Sequence, residues 1–243
     1  MTERAGYVAA ALLTSSGLVH LALLLASGGS WEGPLSLRKP VTFGLSFGLT
    51  LATIVWVSGF LKLTARARSM LLGAFMAASV LETFLVSLQT WRGVPSHFNV
   101  ETAFDATVTR GLAGGGVALV AMVVWMTIAA LRANPAVPPS IRLAVRTGFV
   151  ALCGAMAVGG VMIARGMTLV AGGDAAAAYR TGGLLKPIHA VTMHGVLVLP
   201  LFAWLLTFTD WSEARRVKVV AAAASIYLLL ILSVAAATLS GSR

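Results

Sequence analysis

The sequence predicts an all-α integral membrane protein whose seven transmembrane helices form a 3+1+3 parallel pseudo-repeat. Three observations carry that expectation. Hydrophobic residues make up 58% of the 243 and charged residues only 11%, at a mean hydropathy of +0.90, a balance that leaves a soluble core too little polar surface to show water. The apolar residues fall into long runs separated by short charged segments. Short motifs from the first part of the chain also return, in order, in the last part.

A hydrocarbon core needs about 20 apolar residues per helical span and tolerates no open sheet edge, so long apolar runs are read as helices. Seven such runs cover residues 5–28, 41–63, 69–90, 108–131, 142–166, 188–208 and 217–240. The first is followed by "LASGGS", whose small residues resemble a signal-peptide cleavage region, but "MTERAG" before it balances one acid against one Arg. The repeat includes this run, so it is expected to be retained. The single cysteine, Cys153, lies inside an apolar run and forbids an intramolecular disulfide.

The repeat pairs Gly17 with Gly148, Val19 with Val150, Leu21 with Leu152, Ala26 with Ala157, and Gly28 and Gly29 with Gly159 and Gly160. Further on, "LRKPV" at 37–41 pairs with "LLKPI" at 184–188, Gly48 with Gly195, and "AASV" at 77–80 with "AASI" at 223–226, at an offset of 146 or 147 residues. A single domain is expected, with residues 5–90 as one three-helix unit, 108–131 as a linker helix and 142–240 as the second unit. The odd linker lets two odd-numbered units run parallel. This plan is similar to that of SWEET-type sugar transporters and, more loosely, of microbial rhodopsins. The resemblance is architectural: the chain has no Pro-Gln dipeptide, and the last helix carries Lys218 at its entrance and no lysine in its interior. Fold analogy of this kind does not transfer function.

The net charge of +10 is not a nucleic-acid signature here, because the basic residues sit in short clusters between apolar runs, where they set topology and meet lipid headgroups. The partners expected are the bilayer and a small-molecule or ion ligand, with no nucleic acid; an oligomer is compatible. The N-terminus and the loops after helices 2, 4 and 6 hold ten Lys and Arg against eight on the opposite face, and in shorter connections. The positive-inside rule then places the N-terminus in the cytoplasm and the C-terminus outside, in the plasma membrane of a bacterial-type cell.

Ionisable residues inside the spans are the candidate site. At 1.5 Å per residue, His20, Glu82 and His194 all lie about 10 to 12 Å below the outer surface. In the repeat alignment they correspond to Ala151, Leu228 and Phe47, so packing alone would accept an apolar residue at each place. An intramembrane acid or histidine is costly unless it faces partners or water. A histidine bonded to a nearby carbonyl and a protonated Glu acting as interhelical glue are the bland alternatives.

An outer polar lid is expected above this level. It comprises Arg38 and Lys39 before helix 2, Lys186 before helix 6, and the loop from Trp91 to Asp105, with Arg92, Ser96, His97, Asn99, Glu101 and Asp105. A seventeen-residue connection where a handful would suffice is more often functional than idle. Trp91 reads as an interfacial anchor. Pro40 and Pro187 suit the first turns of helices 2 and 6, and His189 sits near the interface. Gly44, Gly48, Gly111 and Gly114–Gly116 read as close helix contacts, and Pro200 as a kink or loosening of helix 6.

No P-loop, HExxH, GxSxG, CxxC or dinucleotide fingerprint stands in a supporting context. The leading expectation is a proton-linked carrier or channel for a small solute, with anions suited to the basic mouth. The alternative is a membrane redox or cofactor protein, with His20 and His194 as haem ligands, or both with Glu82 as a metal site. A third is a sensor or assembly factor acting through its outer loops.

Overall fold

A computed structural model describes residues 2–33, 35–174, 176–178 and 183–240. Its long helices are α1 (Thr2–Ser27), α2 (Arg38–Val57, continued by the 3-10 turn Ser58–Phe60), α3 (Ala65–Trp91), α4 (Ala103–Leu131), α5 (Pro139–Ala171), α6 (Lys186–Leu206) and α7 (Glu213–Ser240). All seven are long and apolar enough to cross a membrane, and no strand occurs among the described residues. The fold is therefore all-helical and of multi-pass membrane type. Arg180 and Arg243, two of the basic residues used for topology, lie outside the described residues.

Helix ends follow local chemistry more than apolar boundaries. Helix α4 starts at Ala103, not at 108, because Thr102 and Asp105 form a reciprocal cap: Asp105 N–H donates to Thr102 Oγ1 at 3.1 Å, and that hydroxyl donates to Asp105 Oδ2 at 2.6 Å. Helix α5 runs past the expected end at 166 to Ala171. Gly173, at φ 86°, then closes it, with Gly173 and Asp174 N–H donating back to Val170 and Leu169 carbonyls. Pro187 lies in the first turn of α6, and α6 runs through Pro200 as one helix.

The contacts divide the chain into two compact units. The first is Met1–Trp56, Ala65–Met122 and Ala164–Thr181; the second is Val57–Thr64, Val123–Ile163 and Gly182–Arg243. The division falls at the end of α2 and inside α4 and α5, so it does not coincide with the helix triplets 5–90 and 142–240.

In the first unit α1 lies against α2 backbone to backbone. A Cβ added to Gly44 would stand 2.6 Å from the Gly17 nitrogen, and one added to Gly17 would stand 2.7 Å from the Leu45 nitrogen. Gly48 likewise meets Ala10 and Thr14. Lipid offers no hydrophobic drive between helices, so such small-residue contacts supply the dispersion energy of association. Helix α1 also packs along α3. Helices α3 and α4 share an apolar cluster of Val86, Val108 and Leu112, with Phe43 and Leu85 packed on it. At the far end, Arg68 of α3 pairs with Glu3 and donates to the Val55 carbonyl at 3.1 Å.

The second unit is built by the same physics. Gly148 of α5 meets Gly195 and Val196 of α6, a Cβ there lying 2.9 Å from the Gly195 carbonyl oxygen. Helix α6 packs along α7, and Tyr227 Oη donates to the Val191 carbonyl at 2.6 Å. Phe149, Met126, Leu152, Leu199, Val123 and Val220 are fully enclosed. At one end Glu213 accepts from the Ser140 N–H at 2.7 Å, while Arg216 donates to the Thr207 and Thr209 carbonyls at the end of α6.

Candidate functional site

The chemistry of the first unit gathers where α3 ends and the 92–102 connection begins. Gly93, at φ 68°, turns the chain out of α3, with Gly93 and Val94 N–H donating to the Thr90 and Gln89 carbonyls. Just before the turn, Trp91 Nε1–H donates to His20 Nε2 at 3.0 Å, the rings tilted at 56°. His20 Nδ1 lies 2.7 Å from the Ser16 carbonyl. Indole N–H only donates and a carbonyl only accepts, so this His20 is neutral, with its proton on Nδ1 and its Nε2 lone pair taken by Trp91.

A clasp beside it ties α3 to α4. Buried Asp105 accepts from Gln89 Nε2 at 2.9 Å and from Arg92 at 2.6 Å on one oxygen, and from Thr102 on the other. Arg92 also donates to Gln89 Oε1, and its guanidinium lies 4.5 Å over the Phe104 ring. Gln89 is wholly enclosed, so each of its polar ends requires the partner it has.

The tip of the connection folds onto the helices. Lys39 Nζ donates to Ser96 Oγ at 3.4 Å, and Ser96 Oγ lies 3.0 Å from His97 Nδ1. The His97 ring stands between Phe43 and Phe98, at 5.8 and 6.2 Å between centroids. Burial, and secondarily the Lys39 charge, lower its pKa from 6.5 to about 4, so the ring is neutral at physiological pH. Phe98 adopts φ 63°, the left-handed region that non-glycine residues seldom enter, and this turns its ring onto Gly166, where a side chain would collide with it. Asn99 Oδ1 accepts from Glu101 N–H at 3.1 Å and its carbonyl from Thr109 Oγ1 at 2.7 Å, while its buried Nδ2 has no partner among the described residues.

Below this layer, Glu82 is 4% exposed. Its Oε1 projects into the gap left by the missing side chain of Gly115 on α4 and meets no hydrogen-bond partner. The flanking hydroxyls do not serve it: Ser79 and Thr83 turn back to the Phe75 and Ser79 carbonyls of their own helix. Counting from the end of α3 at Trp91, Glu82 lies about 13 Å down the helix.

The remaining sequence candidates are placed as follows. His194 belongs to the second unit, is half-buried and donates from Nδ1 to the Ala190 carbonyl of its own helix at 2.6 Å. His189, also there, donates to the Ala155 carbonyl at 2.8 Å, its ring against Gly159. The trio of His20, Glu82 and His194 is thus divided between units, and His20 bonds Trp91 and Ser16, not Glu82. Arg38 pairs with Glu32 at 3.5 Å, and Lys186 is exposed at the start of α6. Among the described residues, no three His, Cys, Asp or Glu side chains gather where they could hold a metal ion. Both ring nitrogens of His20 are engaged, Nδ1 by the Ser16 carbonyl and Nε2 by the Trp91 indole.

Reading the sequence missed Gln89, Thr102 and Phe98; of Gly114–Gly116, all expected as close helix contacts, Gly115 meets Glu82 while Gly114 and Gly116 face open space. The Thr-x-x-Asp spacing at 102–105 was a visible capping signal. Nothing in "GLAGGG" says which glycine faces Glu82. Comparison with protein-family models, curated proteins and solved structures finds no match.

Proposed function

We propose that the chain is a proton-linked carrier or channel for a small solute, with Glu82 as the group that takes up and releases the proton. The observation that carries the proposal is a buried intramembrane carboxyl whose Oε1 has no hydrogen-bond partner and which, among the described residues, forms no ion pair, the Gly116 backbone N–H being the polar group that favours its charge. An unpaired carboxylate at that depth costs several kcal/mol, so a site that keeps one must either protonate it or admit something to pair with it. A purely structural acid would be expected to have its hydrogen bonds completed by Ser79 or Thr83, and these turn away.

The solute favoured is an anion, drawn by Arg38 and Lys39 at the start of α2. The reading includes a plasma membrane of bacterial type, an N-terminus in the cytoplasm and a C-terminus outside. The 3+1+3 pseudo-repeat belongs to this proposal as well. It is supported by two parallels, each within one unit. Gly17 against Gly44 on α1 and α2 resembles Gly148 against Gly195 on α5 and α6, although Gly48, not Gly44, is the aligned partner of Gly195. Arg68 at the start of α3 reaches a carbonyl near the end of α2, as Arg216 at the start of α7 reaches those after α6.

The test is proton entry into proteoliposomes loaded with a pH-sensitive dye, driven by an imposed potential and by gradients of small carboxylates or phosphate. Wild type should acidify the lumen and Glu82→Gln should not, while both elute as folded protein. Equal flux in the two, or none in wild type under any gradient, removes the proposal.

A further inference from the structure

We propose that His20 and Trp91 form a proton-released latch between α1 and the end of α3, where the 92–102 connection begins. The inference rests on the proton-linked reading for its purpose and on hydrogen-bond geometry for its chemistry.

Trp91 is the last residue of α3, and its indole N–H is the donor in a bond to His20 Nε2 at 3.0 Å. Nδ1 already carries its proton to Ser16. A second proton can enter only at Nε2, which would turn the acceptor into a donor facing another donor. The indole must then leave, since neither it nor imidazolium can accept. Histidine is the side chain whose ordinary titration lies in the range where an outer compartment acidifies.

Trp91 is well placed to transmit that event. It lies two residues before the Gly93 turn, is 65% exposed, and bonds His20 through its indole. Charged groups stand on α2 and α3, the helices packed against α1. On α3 Arg92 is held by Asp105; at the start of α2 Arg38 pairs with Glu32 and Lys39 donates to Ser96. Among the described residues Glu82 on α3 makes no ion pair, and His97 in the connection is engaged by Ser96. Among the described residues no ion pair involves His20. The latch therefore opens on acidification of the side that the connection faces and closes when the proton leaves.

The experiment follows the indole N–H signals of nitrogen-15 tryptophan-labelled protein in nanodiscs, with Trp91 assigned from Trp91→Phe. Between about pH 8 and about pH 5, a span that brackets histidine titration, the wild-type Trp91 signal should move away from its hydrogen-bonded position and exchange severalfold faster with solvent. In His20→Gln, which keeps an acceptor but cannot titrate, it should stay fixed. A wild-type signal that does not respond to pH, or one that responds identically in His20→Gln, overturns the latch. Should His20→Gln fail to fold, the imidazole nitrogen signals of wild-type His20 decide: they must report the Nδ1–H tautomer at high pH and titrate together with Trp91. No solute or proton gradient is present, so failure here is separate from failure of the Glu82 flux test.

Discussion

Glu82 Oε1 occupies the space that a side chain on Gly115 would fill, so a carboxyl on α3 and a glycine on α4 share one position within the first unit. Gly114, its neighbour in sequence, has open space around its would-be Cβ. Gly115→Ala should therefore displace Glu82 or part α3 from α4, costing about 1–3 kcal/mol as an overpacked contact. Gly114→Ala should be neutral or gain up to about 1 kcal/mol from helix propensity. Thermal unfolding in detergent separates the two, and proton flux should fall in the first variant alone.

Asp105 tests the clasp. Replaced by Ala, it leaves Gln89 buried with an unpaired amide and Arg92 without its counter-ion, a loss on the order of 3 kcal/mol. Asp105→Asn keeps an oxygen for Gln89 and loses mainly the ion pair with a partly exposed Arg92, so it should cost about 1 kcal/mol. A ranking in which Asn is as damaging as Ala would mean that charge, not the hydrogen bonds, holds α3 to α4.

The seven spans were legible because hydrocarbon leaves a long apolar run only one way to bond its backbone. Lys39-Pro40 and Lys186-Pro187 marked the starts of α2 and α6 for an equally local reason, the missing N–H of proline. Partners across helices were not legible. That Trp91 would bond His20, or that Glu82 would face Gly115 and neither Gly114 nor Gly116, depends on the rotation of each helix about its own axis, and sequences of Ala, Gly, Val and Leu barely constrain that rotation. The division inside α4 and α5 was hidden likewise, since it reflects which neighbours a long helix meets along its length and not where the helix ends. Phe98 carries no signal in its type for φ 63°; Gly166, the residue it covers, lies 68 positions away.

His97 gives a pH dependence with a definite sign. Its folded pKa of about 4 lies below the ordinary 6.5, so between those values the unfolded chain binds more protons than the folded one. Stability should be full above about 6.5, fall as pH drops through the interval, and level off below about 4. His97→Asn should remove that component. Melting midpoints of the two proteins, plotted against pH, should converge or cross only inside this window; parallel curves would show that the ring does not titrate against folding.

At the end of the second unit, Glu213 makes two contacts of unequal worth. It accepts from the Ser140 N–H at the start of α5 at 2.7 Å, and it lies 3.7 Å from Arg216 with both side chains partly exposed. A carboxylate capping a helix N-terminus contributes about 1 kcal/mol and up to about 2, whereas a partly exposed ion pair at that separation contributes about 0–1 kcal/mol. Arg216 keeps its bonds to the Thr207 and Thr209 carbonyls whatever stands at 213. Glu213→Gln, which retains an acceptor for Ser140, should therefore lose less than about 1 kcal/mol, and Glu213→Ala about 1–2 kcal/mol. The Gln variant should also show little change between low and high salt, because the capping bond persists and the screened part of the interaction is already gone. If Gln and Ala are equally destabilising and the wild-type advantage disappears in salt, the ion pair outweighs the cap.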